Sequence, residues 1–296
     1  MIVTSRESSR NLNGLGHIFV HTHKTKEAMV RINDLIKHGH DAEYCRLLPI
    51  TGVPRCGKTS LVAAFDRMSD AAKGDFQPRK LLEVQVPPKP GRMDLVTATL
   101  YALNDPMPER GRIQEKMSRA YRLLKRGSYN AVVFDEVHRV LDGAADKSGK
   151  TAAQWISDLL NMRICPVIGI GEPAFLDMLK TNFYVDGRTL GNLQITSCDW
   201  SDIDQRQAFR LMIQGICENM GMPGQLDLSD RRTAKRLWDF SEGRIGYVAL
   251  LLTQARILAQ REGAPSIDED CLRRSADILA LQGTSLNHNP FGDDKG

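Results

Sequence analysis

The stretch Gly52-Val53-Pro54-Arg55-Cys56-Gly57-Lys58-Thr59 constrains this chain more than any other feature. Its spacing is Gly-x-x-x-x-Gly-Lys-Thr, and its surroundings are those the spacing requires. Arg46–Thr51 is an apolar run that reads as a buried strand, and Lys58–Met68 reads as a helix with Leu61, Val62, Phe65 and Met68 inward. The glycines let the backbone curl until several N–H groups point at one spot, and the helix N-terminus adds partial positive charge there. That arrangement takes phosphate. The backbone from Gly52 to Ser60, through Val53, Pro54, Arg55, Cys56 and Gly57, is expected to form the cradle. Lys58 is expected to bridge the β- and γ-phosphates of ATP, and Thr59 to ligate Mg2+.

A second strand supplies the acids such a loop needs. Ala131-Val132-Val133-Phe134 is apolar, and Asp135-Glu136 emerge at its C-terminal end. Asp135 is expected to hold the magnesium ion through its water shell. Glu136 is expected to polarise the attacking water, since hydrolysis needs a positioned base. Alone, an Asp-Glu pair after a strand reads as a solvated turn; with the glycine loop it points to a hydrolysing ATPase rather than a kinase or a GTPase. Three other residues admit two readings each. The strand Ile164–Ile170 ends in Gly171-Glu172-Pro173, where Glu172 either orients water and senses the γ-phosphate or simply opens the next helix. Arg188 precedes the last strand, and either reaches a neighbouring subunit's γ-phosphate or is a solvated loop residue. Arg244 opens a helix in Ser241-Glu242-Gly243-Arg244-Ile245-Gly246. A cation is unfavourable at a helix start, so a phosphate contact is its better explanation.

Between these motifs strands and helices alternate, which predicts an α/β fold: a P-loop core with a parallel sheet flanked by helices. Further strands are expected at Leu81–Val86 and Leu193–Thr196, and helices at Asp94–Leu103, Glu109–Arg126 and Thr151–Asn161. After Ser197 the pattern turns wholly helical, with segments at Asp204–Asn219, Asp230–Phe240, Ile245–Arg261 and Asp268–Leu281, so a small C-terminal all-helical lid domain is expected. The resulting division is an N-terminal segment with a helix over 1–46, the core over 47–197, the lid over 198–282 and a disordered tail over 283–296. Within the N-terminal segment, Ile18–Val20 is a short apolar run, Thr25 caps a helix reaching Lys37, and Gly39 suits a left-handed end.

Composition removes several classes. No apolar run reaches the roughly 20 residues a bilayer needs, and Met1–Arg10 lacks a secretion signal's apolar stretch, so no membrane partner and a cytoplasmic location are expected. The cysteines at 45, 56, 165, 198, 217 and 271 form no Cys-x-x-Cys pair and read as reduced. The pairs His21-x-His23 and His38-x-His40 lack neighbours at zinc-site spacing. A net charge of +4 permits nucleic-acid binding without demanding it.

Taken together, the glycine loop, Phe134-Asp135-Glu136-Val137-His138, Gly171-Glu172-Pro173-Ala174-Phe175 and the Gly243–Gly246 helix start resemble the TniB/TnsC group of AAA+ ATPases, the target-selection regulators of transposition related to MuB. The likeness covers roughly residues 17–282. It implies a protein that binds ATP and Mg2+, self-associates into rings or filaments on double-stranded DNA, and works with a transposase and a target-selection protein. It places DNA against two loops, Pro87–Arg92 with Lys89 and Arg92, and Asp142–Lys150 with Lys147 and Lys150, where cations would neutralise phosphates without reading sequence. Glu172 departs from the group, which often carries Gln or Thr there. The basic helix Glu109–Arg126 reads as a solvated outer face. Two other functions fit the same motifs: a helicase loader of the DnaC/IstB sort, preferring single strands, and a signalling or secretion-linked nucleotide switch with no DNA affinity.

Overall fold

The computed structural model describes residues 23–39, 45–71, 80–142, 147–181, 187–220, 227–279 and 288–292. The chain divides into two compact units. One comprises 27–53 and 62–195, built around a sheet; the other comprises 1–26, 54–61 and 196–296, built from helices. The apolar run Ile18–Val20 lies outside the described residues.

Five parallel strands form the sheet: β1 (Leu47–Thr51), β2 (Leu81–Gln85), β3 (Ala131–Asp135), β4 (Val167–Gly171) and β5 (Leu193–Gln194), in the order β2-β3-β4-β1-β5. Every residue of β1, β3 and β4 is buried, whereas the edge strand β2 alternates. Continuous apolar runs suit strands covered on both faces; alternation suits an edge. Because β4 lies between β1 and β3, the strand feeding the glycine loop and the strand ending in two acids are not neighbours. All strands run the same way, so Thr51, Asp135 and Gly171 lie along one edge of the sheet, where open α/β sheets bind ligands.

Pro49 lies inside β1, a central strand, which a residue without an N–H rarely tolerates. The ladder explains it. Leu47 N–H faces Arg188 O at 3.0 Å on the β5 side, and Pro49 faces the same side, where pairing lapses between the Leu47–Thr189 bridge and Ile50–Leu193. The same gap lets Asn192 Oδ1 accept the Thr51 hydroxyl at 3.0 Å.

The helices of the sheet unit are α1 (His23–His38), α2 (Lys58–Ala71), α3 (Arg92–Ala102), α4 (Ile113–Gly127), α5 (Arg139–Asp142), α6 (Lys147–Asn161) and α7 (Ala174–Thr181), the first turns of α1 and α2 grouping with the helical unit. α1 buries Ala28, Ile32, Leu35 and Ile36, and Arg31 on its side bonds the carbonyls of Gly191 and Asn192. Thr25 lies within α1, which starts at His23, so it is not the cap. Gly39 is not left-handed either; it is needed because a Cβ would meet Leu35 O at 2.3 Å. α4 starts later than its pattern predicts, because Glu109–Arg112 belongs to a loop. Arg119 brackets that loop, donating to Asp105 Oδ2, Met107 O and Arg110 O, each at 2.8 Å. Lys116 is buried with its Nζ 2.9 Å from Thr97 Oγ1. Two cations of this basic helix therefore hold structure.

The helical unit packs α8 (Ile203–Met220), α9 (Arg231–Ser241), α10 (Ile245–Arg261) and α11 (Glu269–Leu279) around Phe209, Leu237, Phe240, Leu251, Leu252 and Leu272. Gly243, at φ 75, joins α9 to α10; Cys198 O lies 2.2 Å from where its Cβ would be, so only glycine fits. The tail is not wholly without order. Phe291 is buried in this core, Arg236 Nε donates to Pro290 O at 2.7 Å, and Asn289 Nδ2 donates to Arg273 O at 2.8 Å.

Candidate functional site

The glycine loop leaves β1 at Gly52. Gly52 N–H donates to Gly171 O at 3.2 Å, and a Cβ there would lie 2.1 Å from Ile195 O, so the position admits only glycine. Arg55 and Gly57 are left-handed, at φ 68 and 91. Two such residues turn the chain back on itself before α2 begins at Lys58, whose side chain is buried, with Thr59 exposed and Ser60 half-buried beside it. Val53 and Pro54 are exposed. Leu61 N–H donates to Gly57 O at 3.0 Å, so the helix runs on directly from the left-handed turn at Gly57.

A non-glycine residue at positive φ costs energy and needs support. For Arg55 the support comes from the start of α10. Gly246 N–H donates to Arg55 O at 2.9 Å, and a Cβ on Gly246 would lie 2.8 Å from that oxygen. The Arg55 guanidinium lies 5.9 Å from the centroid of the Tyr247 ring, and that of Arg244 lies 4.8 Å from it. Arg244 also bonds the carboxylate of Glu242, itself left-handed at φ 51, so the cation at this helix start has an acid beside it. Burial pushes the Cys56 thiol up, while the charges of Lys58 and Arg244 pull it down. The loop from Pro54 to Ser60 and Arg244 are thus gathered in one unit.

The sheet unit gathers the acids. Asp135 is buried at the end of β3; its Oδ2 accepts from Gln85 Nε2 at 3.2 Å, and its Oδ1 from Glu136 N–H at 2.8 Å. Glu136 sits at φ 59, which turns the chain out of the strand. Its Oε2 is 3.4 Å from Arg139 Nη2 and 3.6 Å from His138 Nε2. Arg139 Nη1 donates to Val86 O at 3.0 Å, at the end of β2. Glu172 follows β4, its N–H 3.3 Å from His138 Nδ1 and its Oε1 3.6 Å from His138 Nε2. Glu172 is therefore grouped with Asp135 and Glu136.

Arg188 is not. Its carbonyl bonds Leu47, at the opposite end of β1 from Thr51, and four residues of strand span roughly 13 Å. The residues expected to meet DNA also separate. Lys89 is exposed in a loop, at φ 46. Arg92 instead begins α3 and bonds Asp158. Lys147 and Lys150 lie in the first turn of α6 rather than in a loop, because helix begins at Lys147; their side chains fall outside the described residues. Gln85, His138, Arg139 and Asn192 join the strand ends without having been singled out by pattern. Only His138 had a signal, its place in the Asp-Glu-Val-His run.

The parallel sheet with β4 inserted between the loop strand and the acid strand, followed by a helical unit, defines an ATPase of the AAA+ type. The profile of the bacterial TniB protein family matches residues 17–188, more than half of the chain, so the chain belongs to the TniB family. No curated protein sequence matches. Among solved structures, the chain is similar to the Aeropyrum pernix ORC1 protein in complex with DNA (TM-score 0.68, 16% identity, 88% of this chain and 66% of that one). It is also similar to the A. pernix ORC2 protein in ADPNP-ADP complexes (TM-score 0.63, 14% identity, 91% and 74%), and to the Thermotoga maritima RuvB Holliday junction branch migration motor (TM-score 0.52, 15% identity, 89% and 71%). The chain thus spans just under two thirds of the ORC1 chain's length. No described helix is long and apolar enough to cross a membrane.

Proposed function

We propose that this ATPase is a regulator of DNA transposition that binds double-stranded DNA without reading sequence, oligomerises on it in the ATP state, and recruits or activates a transposase. Membership of the TniB family, joined to the glycine loop and the paired acids, carries the reading. The cradle suits a triphosphate: two left-handed residues, a glycine at 52 where a Cβ would collide, and a lysine opening a helix. Lys58 and Arg244 would meet phosphate oxygens. The Thr59 hydroxyl and the buried Asp135 carboxylate are each a hard oxygen donor of the kind Mg2+ takes. Bound there, the ion would neutralise charge developing on the phosphates. Glu136 would take a proton from the attacking water. Arg188 would serve a neighbouring subunit's γ-phosphate, a reading supported by its backbone pairing with Leu47, at the end of β1 away from Thr51.

Duplex binding would draw on Lys89 first, since Arg92 is already paired with Asp158. Negative-stain microscopy tests the whole reading: with ATP, magnesium and linear duplex, rings or filaments are expected on the DNA. Monomers alone under those conditions would sink it, and a preference for single strands would move the protein to the helicase loaders.

A further inference from the structure

His138 lies between two carboxylates in the turn that follows β3. Its Nδ1 accepts the Glu172 N–H at 3.3 Å, so in the neutral ring the proton sits on Nε2. Nε2 is 3.6 Å from Glu136 Oε2 and 3.6 Å from Glu172 Oε1. Those separations exceed a hydrogen bond but are within ion-pair reach. A single N–H thus stands equidistant between two acids and can close on either with a small movement. The backbone is shaped for the ring to be there. A Cβ on Gly171 would lie 3.1 Å from His138 N, 3.4 Å from its Nδ1 and 3.0 Å from Val137 Cγ1, so the glycine lets this turn lie against the end of β4. Val137 N–H then bonds Ile170 O at 2.8 Å. Two carboxylates sharing one nitrogen would otherwise repel each other, and an acid at the end of β4 would repel a triphosphate.

We infer that His138 is a positioning residue, which holds the Glu136 carboxylate in place and, through the same nitrogen, screens the charge of Glu172. The inference rests on Glu136 being the base, and it accounts for how an acid is tolerated at position 172.

ATPase assays and titrations with a fluorescent ATP analogue on the full chain test it. His138→Ala is expected to lower kcat roughly tenfold while KM moves less than about threefold. Adding Glu172→Gln to His138→Ala should restore part of kcat, because it removes the acid the ring screened while the Glu136 carboxylate stays unheld. Loss of packing alone gives no such recovery, so a double variant as slow as His138→Ala overturns the inference. So does a His138→Ala rate equal to the parent's when Glu136→Gln is inactive. Glu136→Gln at the parental rate would instead overturn the reading of Glu136 itself. If circular dichroism shows His138→Ala unfolded, His138→Gln takes its place. The Glu172→Gln recovery is then expected in that background, and its failure there counts equally against the inference.

Discussion

The sheet unit and the helical unit hold their candidate residues by different means. Asp135 ends a strand paired on both sides and receives two further bonds, from Gln85 and from Glu136 N–H. Arg244 begins a helix, and its guanidinium rests on Glu242 and the Tyr247 ring. A strand end inside a parallel sheet inherits its direction from its neighbours, whereas this helix start is fixed by individual bonds such as Gly246 N–H to Arg55 O. Asp135 is therefore held by the sheet, while Arg244 is held by one carboxylate and one ring.

The division is sharpest in the pair Lys58→Ala and Glu136→Gln. Lys58→Ala removes a buried cation beside the glycine loop and is expected to weaken ATP binding by about a hundredfold or more, with assembly on DNA lost alongside. Glu136→Gln is expected to leave ATP binding intact, lower kcat by about a hundredfold or more, and prolong DNA-bound assemblies. Equilibrium titration and single-turnover hydrolysis separate the two. If Glu136→Gln weakened binding as strongly as Lys58→Ala, the acids would not form an independent half.

Legibility in the sequence follows the same division. The glycine loop and the acid strand could be read because each rests on local chemistry: a strand, a turn only glycine permits, a helix start. Helix Ile245–Arg261 and strand Leu81–Gln85 could be read from runs of apolar residues. Gln85 and Asn192 could not, since each matters through a partner distant in sequence, Asp135 and Thr51, and the Asp-Glu-Val-His run showed His138 without its contact to Glu172. The late start of α4 was hidden for a like reason. Its preceding loop is shaped by Arg119 reaching back to Asp105, and no periodicity records that. Phe291 belongs to a segment too polar to signal order, and only the packed core displays its fit.

Two cations expected on DNA differ in the same sense, one exposed and one engaged. Lys89→Ala is expected to weaken duplex binding a few-fold, equally for all sequences, and to reduce the slope of log affinity against log salt by about one. Arg92→Ala should leave that slope unchanged, because its guanidinium is committed to Asp158. Fluorescence anisotropy across a salt series measures both. Equal slopes for the two variants would show that Lys89 does not contact phosphate.

The smallest effect concerns how the helical unit keeps its shape. Asp230 caps α9, accepting from Arg232 N–H at 2.7 Å and from Thr233 N–H at 3.2 Å. Burial acts to raise its carboxyl, but the bonds from Thr233 and Arg232 and the charge of Arg210 outweigh it, so the group titrates below the usual aspartate range. Its folded value is thus lower than its unfolded one. The stability it adds is present above the unfolded value near pH 4, and is lost as pH falls through the folded value. Asp230→Ala is expected to cost about 1 kcal/mol at pH 7, with the gap to the parent narrowing below pH 4. Asp230→Asn keeps a capping oxygen and should cost only a few tenths of that. Urea melts at pH 7 and pH 3 compare them, and an Asp230→Ala gap of the same size at both would mean that the carboxylate's charge adds nothing to the cap.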